Sequence, residues 1–425
     1  MIMAMIRPET EMKDTGIEWI GNIPSSWVCC KQKYVISLIN GRAFKDTEFE
    51  EDGKYRILRV GNLFSNPKWY SSNLELEDDK YCDNGDLLYA WSMSYGPYIW
   101  NGEKVIYHYH IWKAKLLNNL SERFAYYYLI ALSDSIKSDV HETTMSFITM
   151  KSMNNSYIAF PEDIFEQQAI ADYLDETCSK IDEIIAEAKA SIVEYKELRE
   201  SVISNATTRG IKKNRCMKPS GVEWLPEIPS DWNVLSPKVV FAQRKDRAIK
   251  GERQLTASQK HGIMYQDDYM KEEGVRIVTV EKDFSILKHV EPDDFVISMR
   301  SFQGGLEYSY LRGCISSAYV MLIPNHKYVY SEYYKWFFKS DKYINALQST
   351  SDLIRDGQAL RYANFVKLKL FDIPIEEQKE IADYLNKEVP KIDSLIAEKE
   401  SLINDLEAYK KSLIYEVVTG KRRVV

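Results

Sequence analysis

An internal repeat constrains the fold of this chain more than any other feature of the sequence. The segment GIEWIGNIPSSW at residues 16–27 recurs as GVEWLPEIPSDW at 221–232, and EQQAIADYL at 166–174 recurs as EQKEIADYL at 377–385. A Lys-Ile-Asp triplet follows the second block in both copies, at 180–182 and 391–393. Two blocks in the same order, at nearly the same offset of about 200 residues, indicate a tandem duplication.

The segments between the repeated blocks diverge, but they keep a similar rhythm of strands and loops. Residues 86–96 align with 294–304, and each reads as a buried strand followed by a polar loop that closes on glycine. Further strands are expected at 55–60, 105–117, 275–280 and 314–323, and amphipathic helices at 121–138 and 331–348. Each half therefore contains a variable block that we expect to fold as a mixed α/β domain.

The repeated Glu-Gln blocks begin two long helical segments whose apolar residues recur in steps of four and three. Such a 3.5-residue period indicates a coiled coil. It could join two chains, but two matched copies in one chain favour an intramolecular antiparallel pair. Pro390 should kink or restart the second helix. The expected contact positions are Ile170, Leu174, Ile181, Ile184, Tyr195, Leu198, Ile381, Leu385, Ile392, Leu395, Leu402 and Leu406.

Length and composition indicate a globular chain of two or three domains. The 425 residues exceed what one ordinary core accommodates, and no apolar run is long enough to span a membrane. The first residues lack the pattern of a signal peptide. Six cysteines without a CxxC pair form neither a disulfide framework nor a zinc site, which favours a reducing cytoplasm.

The charge of the chain is acidic overall, at −7, but its basic residues are clustered. Residues 238–253 contain six basic and two acidic side chains, and residues 205–218 contain five basic and none acidic. An acidic total argues mildly against a free-standing DNA binder, because affinity for a duplex comes largely from cations that neutralise phosphates. Local clusters of this kind occur on ordinary solvated surfaces as well.

Motifs of catalysis are missing from the sequence. The nearest match to a methyltransferase motif is Asn66-Pro67-Lys68-Trp69, which lacks a second proline and reads as a turn; no P-loop occurs. The acidic run at 291–294 also reads as a turn rather than a nuclease site. His108 and His110 share one face of an expected strand, but without a third ligand they fit a core or a nucleic-acid surface better than a metal site.

The duplicated segments resemble the specificity subunit of type I restriction–modification systems. The resemblance rests on residues 217–232 (MKPSGVEWLPEIPSDW), on 377–393, on Thr207-Thr208-Arg209-Gly210 and on Val418-Thr419-Gly420-Lys421. It covers essentially the whole chain in family order, with both copies present. It implies an N-terminal repeat segment (1–26), two target-recognition domains (27–160 and 221–373), two long helices (161–208 and 374–425) and a basic linker (209–220).

The family's function implies that each recognition domain reads one half of a bipartite site in double-stranded DNA. The paired helices would separate the domains and set the spacer. Two methyltransferase subunits with S-adenosylmethionine, and ATP- and Mg²⁺-dependent restriction subunits, would be the partners. This chain would then be a non-catalytic DNA-binding subunit without a cofactor or metal of its own. The competing interpretation is a non-enzymatic scaffold whose duplicated variable domains bind protein or carbohydrate ligands.

Base-reading side chains must reach the groove edges of DNA from loops, and Arg, Lys, Asn, Gln and Ser match the donor and acceptor patterns there. Recognition domains vary so much in the family that no contact is carried over from it. The aromatic residues Trp69, Tyr70, Trp91 and Tyr95 lie in or beside such loops. The candidate DNA-binding residues are Arg42, Lys45, Ser92, Ser94 and Tyr95 in the first domain and Arg244, Lys245, Arg247, Gln259, Arg300, Ser301 and Gln303 in the second.

Overall fold

The chain folds as two compact units, each containing one variable α/β domain. The computed structural model describes residues 4–64, 66–92, 95–139, 148–258, 260–280, 284–297, 306–350 and 361–424. Unit 1 comprises Met1–Lys189 with Ser401–Val425, and unit 2 comprises Ala190–Glu400. Both boundaries fall inside long helices, so each helix contributes one half to each unit.

The first part of the chain supplies the variable domain of unit 1 and the first long helix. Its strands are β1 (Ala4–Ile6), β2 (Met12–Asp14), β3 (Asn22–Pro24), β4 (Val28–Lys31), β5 (Ile36–Asn40), β6 (Tyr55–Leu58), β7 (Tyr70–Ser72), β8 (Tyr81–Cys82), β9 (Leu87–Ala90), β10 (Gly96–Ile99), β11 (Val105–Tyr107), β12 (Ile111–Leu116) and β13 (Tyr157–Phe160). Its helices are α1 (Val60–Phe64), α2 (Glu122–Asp139), α3 (Met150–Asn155) and α4 (Ile164–Arg209).

The second part supplies the variable domain of unit 2 and the second long helix. Its strands are β14 (Met217–Pro219), β15 (Glu227–Pro229), β16 (Asn233–Leu235), β17 (Phe241–Gln243), β18 (Leu255–Ser258), β19 (Gly262–Tyr265), β20 (Lys288–Val290), β21 (Phe295–Ile297), β22 (Glu307–Tyr308), β23 (Gly313–Ile315), β24 (Val320–Pro324), β25 (Leu370–Asp372) and β26 (Arg422–Val424). Its helices are α5 (Pro237–Val240), α6 (Gln266–Glu273), α7 (Ser331–Phe337), α8 (Asp341–Ser349), α9 (Tyr362–Phe365) and α10 (Ile375–Val418).

The two variable domains share one sheet topology. In unit 1 the sheets run β10-β9-β12-β5 and β7-β6-β11-β8, with β6 and β11 parallel. In unit 2 the strand order β22-β21-β24-β17 repeats that of the first sheet. The strand pairs β19-β18 and β23-β20 repeat the second sheet, and a parallel bridge between Gln254 and Cys314 joins these two pairs. The duplication therefore extends through the segments whose sequences have diverged.

Several sequence-based boundaries needed correction. The expected strand at 105–117 is two strands, because the chain turns at residues 108–110. The expected helix at 331–348 is likewise two helices, α7 and α8, with Ser340 as the N-cap of the second. Residues 275–280 form no strand, and the side chain of Val278 is almost fully exposed, so its β-branched sequence found no partner strand.

The two long helices pack antiparallel within the chain, which confirms the intramolecular pairing. In unit 1, Lys410 Nζ lies 2.7 Å from Asp182 Oδ2 and Lys189 Nζ lies 4.0 Å from Glu407 Oε1. In unit 2, Arg199 Nε lies 2.8 Å from Asp393 Oδ1. Residue numbers rise along α4 as they fall along α10, as an antiparallel pair requires.

The register expected for the helix contacts was wrong at four positions. Ile184, Leu198, Leu395 and Leu402 are exposed, whereas the next residues at three of these places, Ile185, Ile396 and Ile403, are buried. The expected positions Ile170, Leu174, Ile181, Ile381, Leu385 and Ile392 are buried, and Tyr195 and Leu406 are half-buried. The buried positions follow a period near 3.6, because straight helices drift away from a strict 3.5-residue repeat.

Pro390 lies within α10, which continues on both sides of it, so the expected restart of the helix does not occur. A proline in a helix leaves the carbonyl four residues earlier, here that of Asn386, without its usual donor. Pro390 and Asn386 are both exposed, where water can satisfy that carbonyl. The Asn386 side chain also accepts a hydrogen bond from Trp336 Nε1 at 2.9 Å.

The glutamate of each repeated Glu-Gln pair anchors a helix start to the preceding repeat block. In unit 1, Glu166 accepts hydrogen bonds from Arg7 Nη2 at 2.9 Å and from Trp27 Nε1 at 3.2 Å. In unit 2, Glu377 pairs with Arg215 and accepts from Trp232 Nε1 at 3.2 Å. The repeated Trp and Glu are therefore a structural joint rather than a site of chemistry.

The glutamine of each pair satisfies backbone groups of the variable domain. Gln167 accepts from the Ser121 backbone N–H at 2.7 Å and donates to the Pro161 carbonyl at 2.8 Å. Gln378 accepts from the Tyr330 backbone N–H and donates to the Ile373 carbonyl, each at 2.8 Å. Both amides are fully buried, so the pairing removes polar groups that would otherwise be costly to bury.

Candidate nucleic-acid interface

A cluster of cations and rings lies on the second sheet of unit 1. It consists of Arg59, Lys68, Tyr70, His108 and His110, and we call it the Arg59 patch. The Arg59 guanidinium and the Lys68 ammonium each lie 5.1 Å from the centre of the Tyr70 ring. The rings of His108 and His110 are 4.8 Å apart.

The parallel pairing of β6 and β11 brings the patch together. Arg59 directly follows β6 and His108 directly follows β11. Ile57 and Leu58 are in register with Ile106 and Tyr107, and the His108 backbone N–H donates to the Leu58 carbonyl at 2.9 Å. Because the carboxyl ends of parallel strands meet at one edge, these distant segments present their next side chains side by side.

The electrostatics of the patch combine the positive charges of Lys68 and Arg59 with the burial of the two histidines. The Lys68 ammonium, and more weakly Arg59, lower the pKa of the Tyr70 phenol. Burial lowers the pKa of His108 to about 4, and His110 and Arg59 act in the same direction. Burial and Arg59 also lower the pKa of His110. The two histidines are therefore neutral near pH 7, and it is the positive charge of Arg59 and Lys68 that attracts anions to the patch.

A recess of about 490 Å³ opens at the patch. It is lined by Arg59, Tyr70 and His108 of the patch and by Phe44, Asp46, Phe49 and Ile57. The rings of Phe49 and Tyr70 are 4.6 Å apart, so an aromatic wall stands beside the cation. Flat rings combined with unpaired cations suit the contact of a protein with nucleobases and phosphates.

Trp91 and Tyr109 extend the aromatic surface beyond His110. Trp91 Nε1 donates to the Tyr109 carbonyl at 2.7 Å, and the Trp91 ring meets His110 edge-on at 5.0 Å. On its other side Trp91 stacks on Trp112 at 6.0 Å. Trp91 is thus held in place by the strands, while Tyr109 remains exposed.

Comparison with known proteins matches the chain to one family. Residues 24–194 match the family model of the type I restriction modification DNA specificity domain. The putative type I restriction enzyme MjaX specificity subunit of Methanocaldococcus jannaschii is 24% identical, over 100% of this chain and 99% of that protein. The EcoBI specificity subunit of Escherichia coli is also 24% identical, but the match covers only 52% of this chain and 48% of that subunit.

Solved structures of similar fold come from the same systems. One is a chain from a structural study of complex assembly and conformational transition in the type I R-M system. It superposes with a TM-score of 0.70 at 12% identity, and the match covers 94% of this chain and 99% of that one. The HsdS subunit of Thermoanaerobacter tengcongensis gives a TM-score of 0.51 at 12% identity. This chain resembles the type I restriction–modification specificity subunits in sequence and shares their fold. The predicted resemblance and the mixed α/β class are confirmed.

The candidate residues of the first variable domain occupy varied settings. Arg42 forms a bidentate pair with Glu48, with Nη2 2.6 Å from Oε1, and this bond raises its pKa. Lys45 is exposed beside it, Ser92 is half-buried and Tyr95 is buried. Ser94 lies outside the described residues. For the four described residues, contact with DNA stays a prediction.

The candidates of the second recognition domain divide in the same way. Arg244 is bound to the buried Asp294, with Nε 2.7 Å from Oδ2, whereas Lys245 and Arg247 are exposed. Arg247 Nη1 donates to the Ile286 carbonyl at 3.4 Å, and its charge, after burial, lowers the pKa of Lys288. Gln259, Arg300, Ser301 and Gln303 lie outside the described residues.

Sequence reasoning missed Arg59, and it favoured a core or nucleic-acid role over a metal site for His108 and His110 without placing them among the candidate DNA-binding residues. Within the described part of the chain, no three His, Cys, Asp or Glu side chains are grouped to hold a metal ion, and none of its helices is long and apolar enough to cross a membrane. The sequence feature that could have indicated Arg59 is its position directly after an expected buried strand and ahead of the adjacent Trp69 and Tyr70. That signal is weak without knowledge of which strand lies alongside.

Proposed function

We propose that this chain is the DNA sequence-specificity subunit of a type I restriction–modification enzyme. Each recognition domain reads one half of a bipartite duplex site, and the paired helices set the spacer and dock two methyltransferase subunits. The chain is not itself a catalyst. S-adenosylmethionine belongs to the methyltransferase partners, and ATP and Mg²⁺ to the restriction partners. The complex works in the cytoplasm.

The observation that carries this proposal is the repeated topology of the two domains within a family named for DNA specificity. Two copies of one fold whose sequences have diverged suit the reading of two different half-sites. The Arg59 patch supplies what a duplex requires, namely cations for phosphates and ordered side chains for base edges. The overall acidity is compatible with this role, because local potential rather than net charge steers a polyanion.

Reconstitution tests the proposal directly. The chain is combined with the methyltransferase subunit of its own system, and the methylated positions of a genomic DNA substrate are sequenced. We expect methylation at one bipartite sequence, and none when this chain is left out. Methylation that continues without the chain, or that ignores sequence, would contradict the proposal.

A charge-matched pair of variants tests whether the Arg59 patch meets the DNA backbone. Lys68 is exposed and has no carboxylate partner among the described residues, whereas Lys54 is bound to Glu75. Lys68→Ala should reduce the slope of log affinity against log salt by about 1, the contribution of one phosphate contact. Lys54→Ala should leave the slope unchanged. Equal slopes for both variants would place the DNA backbone elsewhere.

A further inference from the structure

Arg59 is held on a fixed platform at the end of β6. Its backbone N–H donates to Asn62 Oδ1 at 3.1 Å. The Asn62 amide in turn donates to the carbonyls of Asn66 at 3.1 Å and Lys68 at 3.0 Å. One asparagine therefore ties the strand end to the loop that leads to Lys68 and Tyr70, so the base of the Arg59 side chain is positioned before any ligand arrives.

Arg59 differs from the other arginines of the first recognition domain in having no acidic partner among the residues that the structure describes. Arg42 is paired with Glu48, Arg56 lies 3.4 Å from Glu103 and Arg123 is bound to Asp172 and Asp175. No carboxylate among the described residues forms an ion pair with Arg59, whose side chain is exposed. Its donors are consequently available to a ligand.

The neighbours of Arg59 limit what that ligand is. The Arg59 guanidinium carbon lies over the Tyr70 ring, 5.1 Å from its centre, so an aromatic contact limits where the group can move. A guanidinium edge presents two parallel N–H donors, which match the O6 and N7 acceptors of guanine in the major groove. Lys68, 5.1 Å from the centre of the same Tyr70 ring, supplies positive potential that holds phosphates nearby.

We propose that Arg59 is a specificity-determining residue that reads a guanine in the half-site of the first recognition domain. This inference rests on the proposed function, and it adds the residue and the base. Lys68 contacts the backbone and gives affinity without sequence preference, while Arg59 distinguishes one G·C pair from the other three pairs. The Tyr70 ring and the Asn62 link keep the guanidinium edge in a single orientation.

The test compares Arg59→Ala with Arg56→Ala in the reconstituted methyltransferase complex. Arg56 is an exposed arginine three residues earlier that also lies over a ring, that of Trp69 at 5.7 Å, but it faces Glu103. Methylation rates are measured on the wild-type site and on sites in which each base pair of the first half is replaced in turn. Arg59→Lys is included because it keeps the charge without the planar fork.

We expect Arg59→Ala to reduce discrimination at one G·C pair by about 10- to 100-fold, the range for loss of a bidentate base contact. Arg59→Lys should lose most of the same discrimination, and Arg56→Ala should keep it. If Arg59→Ala weakened all sequences equally and lowered only the salt slope, Arg59 would be a phosphate contact and the inference would be overturned. Failure of the wild-type complex to methylate a defined sequence would instead overturn the proposed function.

Discussion

The two units connect the end of a long helix to a repeat block in different ways. In unit 2 the end of α4 continues through residues 210–219 into β14, so the helix and the next repeat block are linked covalently. In unit 1 the end of α10 reaches its repeat block only through hydrogen bonds, with β26 paired antiparallel to β1 and the Arg7 N–H donating to the Lys421 carbonyl at 2.9 Å. Equivalent helix ends are therefore held by a covalent connection in unit 2 and by non-covalent contacts in unit 1.

Both joints need a glycine at the helix end, which explains one of the repeated motifs. Gly210 and Gly420 have φ angles of +72° and +73°, in the left-handed region that favours glycine. A Cβ at Gly420 would lie 2.3 Å from Pro24 Cδ, and one at Gly210 would lie 2.5 Å from Arg215 Nη1. The close approach of the neighbouring segment is thus conserved between the units although the connection is not.

The burial of the anchoring ion pair also differs, and this difference gives the largest predicted effect. The side chains of Arg215 and Glu377 are 9% and 3% exposed, whereas those of Arg7 and Glu166 are 10% and 35% exposed. Arg215→Met leaves the buried Glu377 carboxylate with only the more distant Lys212, at 3.9 Å, as a cationic partner among the described residues. It should destabilise unit 2 by about 3 kcal/mol. Arg7→Met should destabilise unit 1 by only about 1 kcal/mol, because Glu166 is partly hydrated.

Hydrogen exchange with mass spectrometry checks this prediction, since peptides from each unit report their own opening free energy. Arg215→Lys serves as the control that keeps the charge, and its effect should be smaller than that of Arg215→Met. A loss of equal size in both units would show that burial of the pair does not govern the strength of the joint.

The helix register gives the next largest effect, and the same comparison can be made in either unit. Ile185 and Ile396 are buried, whereas the preceding Ile184 and Leu395 are 45% and 40% exposed. Ile185→Ala and Ile396→Ala should each cost about 2–4 kcal/mol of stability in their own unit. Ile184→Ala and Leu395→Ala should change stability by less than about 0.5 kcal/mol. Chemical denaturation of the four variants measures this, and the reverse order would restore the 3.5-residue register.

The last predicted effect is a pH dependence at the end of α10 in unit 1. Burial lowers the pKa of Lys421 to about 8, although its ammonium donates to the Ile20 and Asn22 carbonyls. Between pH 8 and about 10.4, the usual lysine pKa, the unfolded chain binds more protons at this group than the folded chain. The contribution of Lys421 to the stability of unit 1 should therefore rise with pH across that window.

The variant Lys421→Met should remove this rise, and the wild-type chain measured on the same peptides at the end of α10 serves as the control. Hydrogen exchange corrected for the intrinsic pH dependence, at pH 8 and pH 10, makes the measurement. Persistence of the rise in Lys421→Met would assign it to another group.

The duplication, the mixed α/β class and the two long helices could be predicted because each depends on local patterns in the sequence. Repeated Trp and Glu-Gln blocks reveal the duplication without any knowledge of their contacts. The helix register could not be predicted as well, because a 3.5- and a 3.6-residue period place the first contacts alike and then diverge, so that Cys178 and Ile185 are buried. Beyond that point, the packing of the two helices determines which side chains are buried between them.

The Arg59 patch shows why the candidate site was harder to predict than the fold. Arg42 and Arg59 both follow strands of the first domain, and the sequence offers no reason to prefer one. Their difference lies in Glu48, which occupies Arg42, and in the parallel strand that brings His108 and His110 to Arg59. Both facts depend on contacts between distant segments, which local patterns do not report.

The central claim, that each unit reads its own half-site, is tested most directly by exchanging one recognition domain. Residues 27–160 are replaced with the corresponding block of a family member of different specificity, and the methylated sequence of the reconstituted hybrid is determined. The account predicts that one half of the bipartite site changes to that of the donor while the other half is kept. A hybrid that assembles and methylates DNA but recognises two altered halves would contradict it.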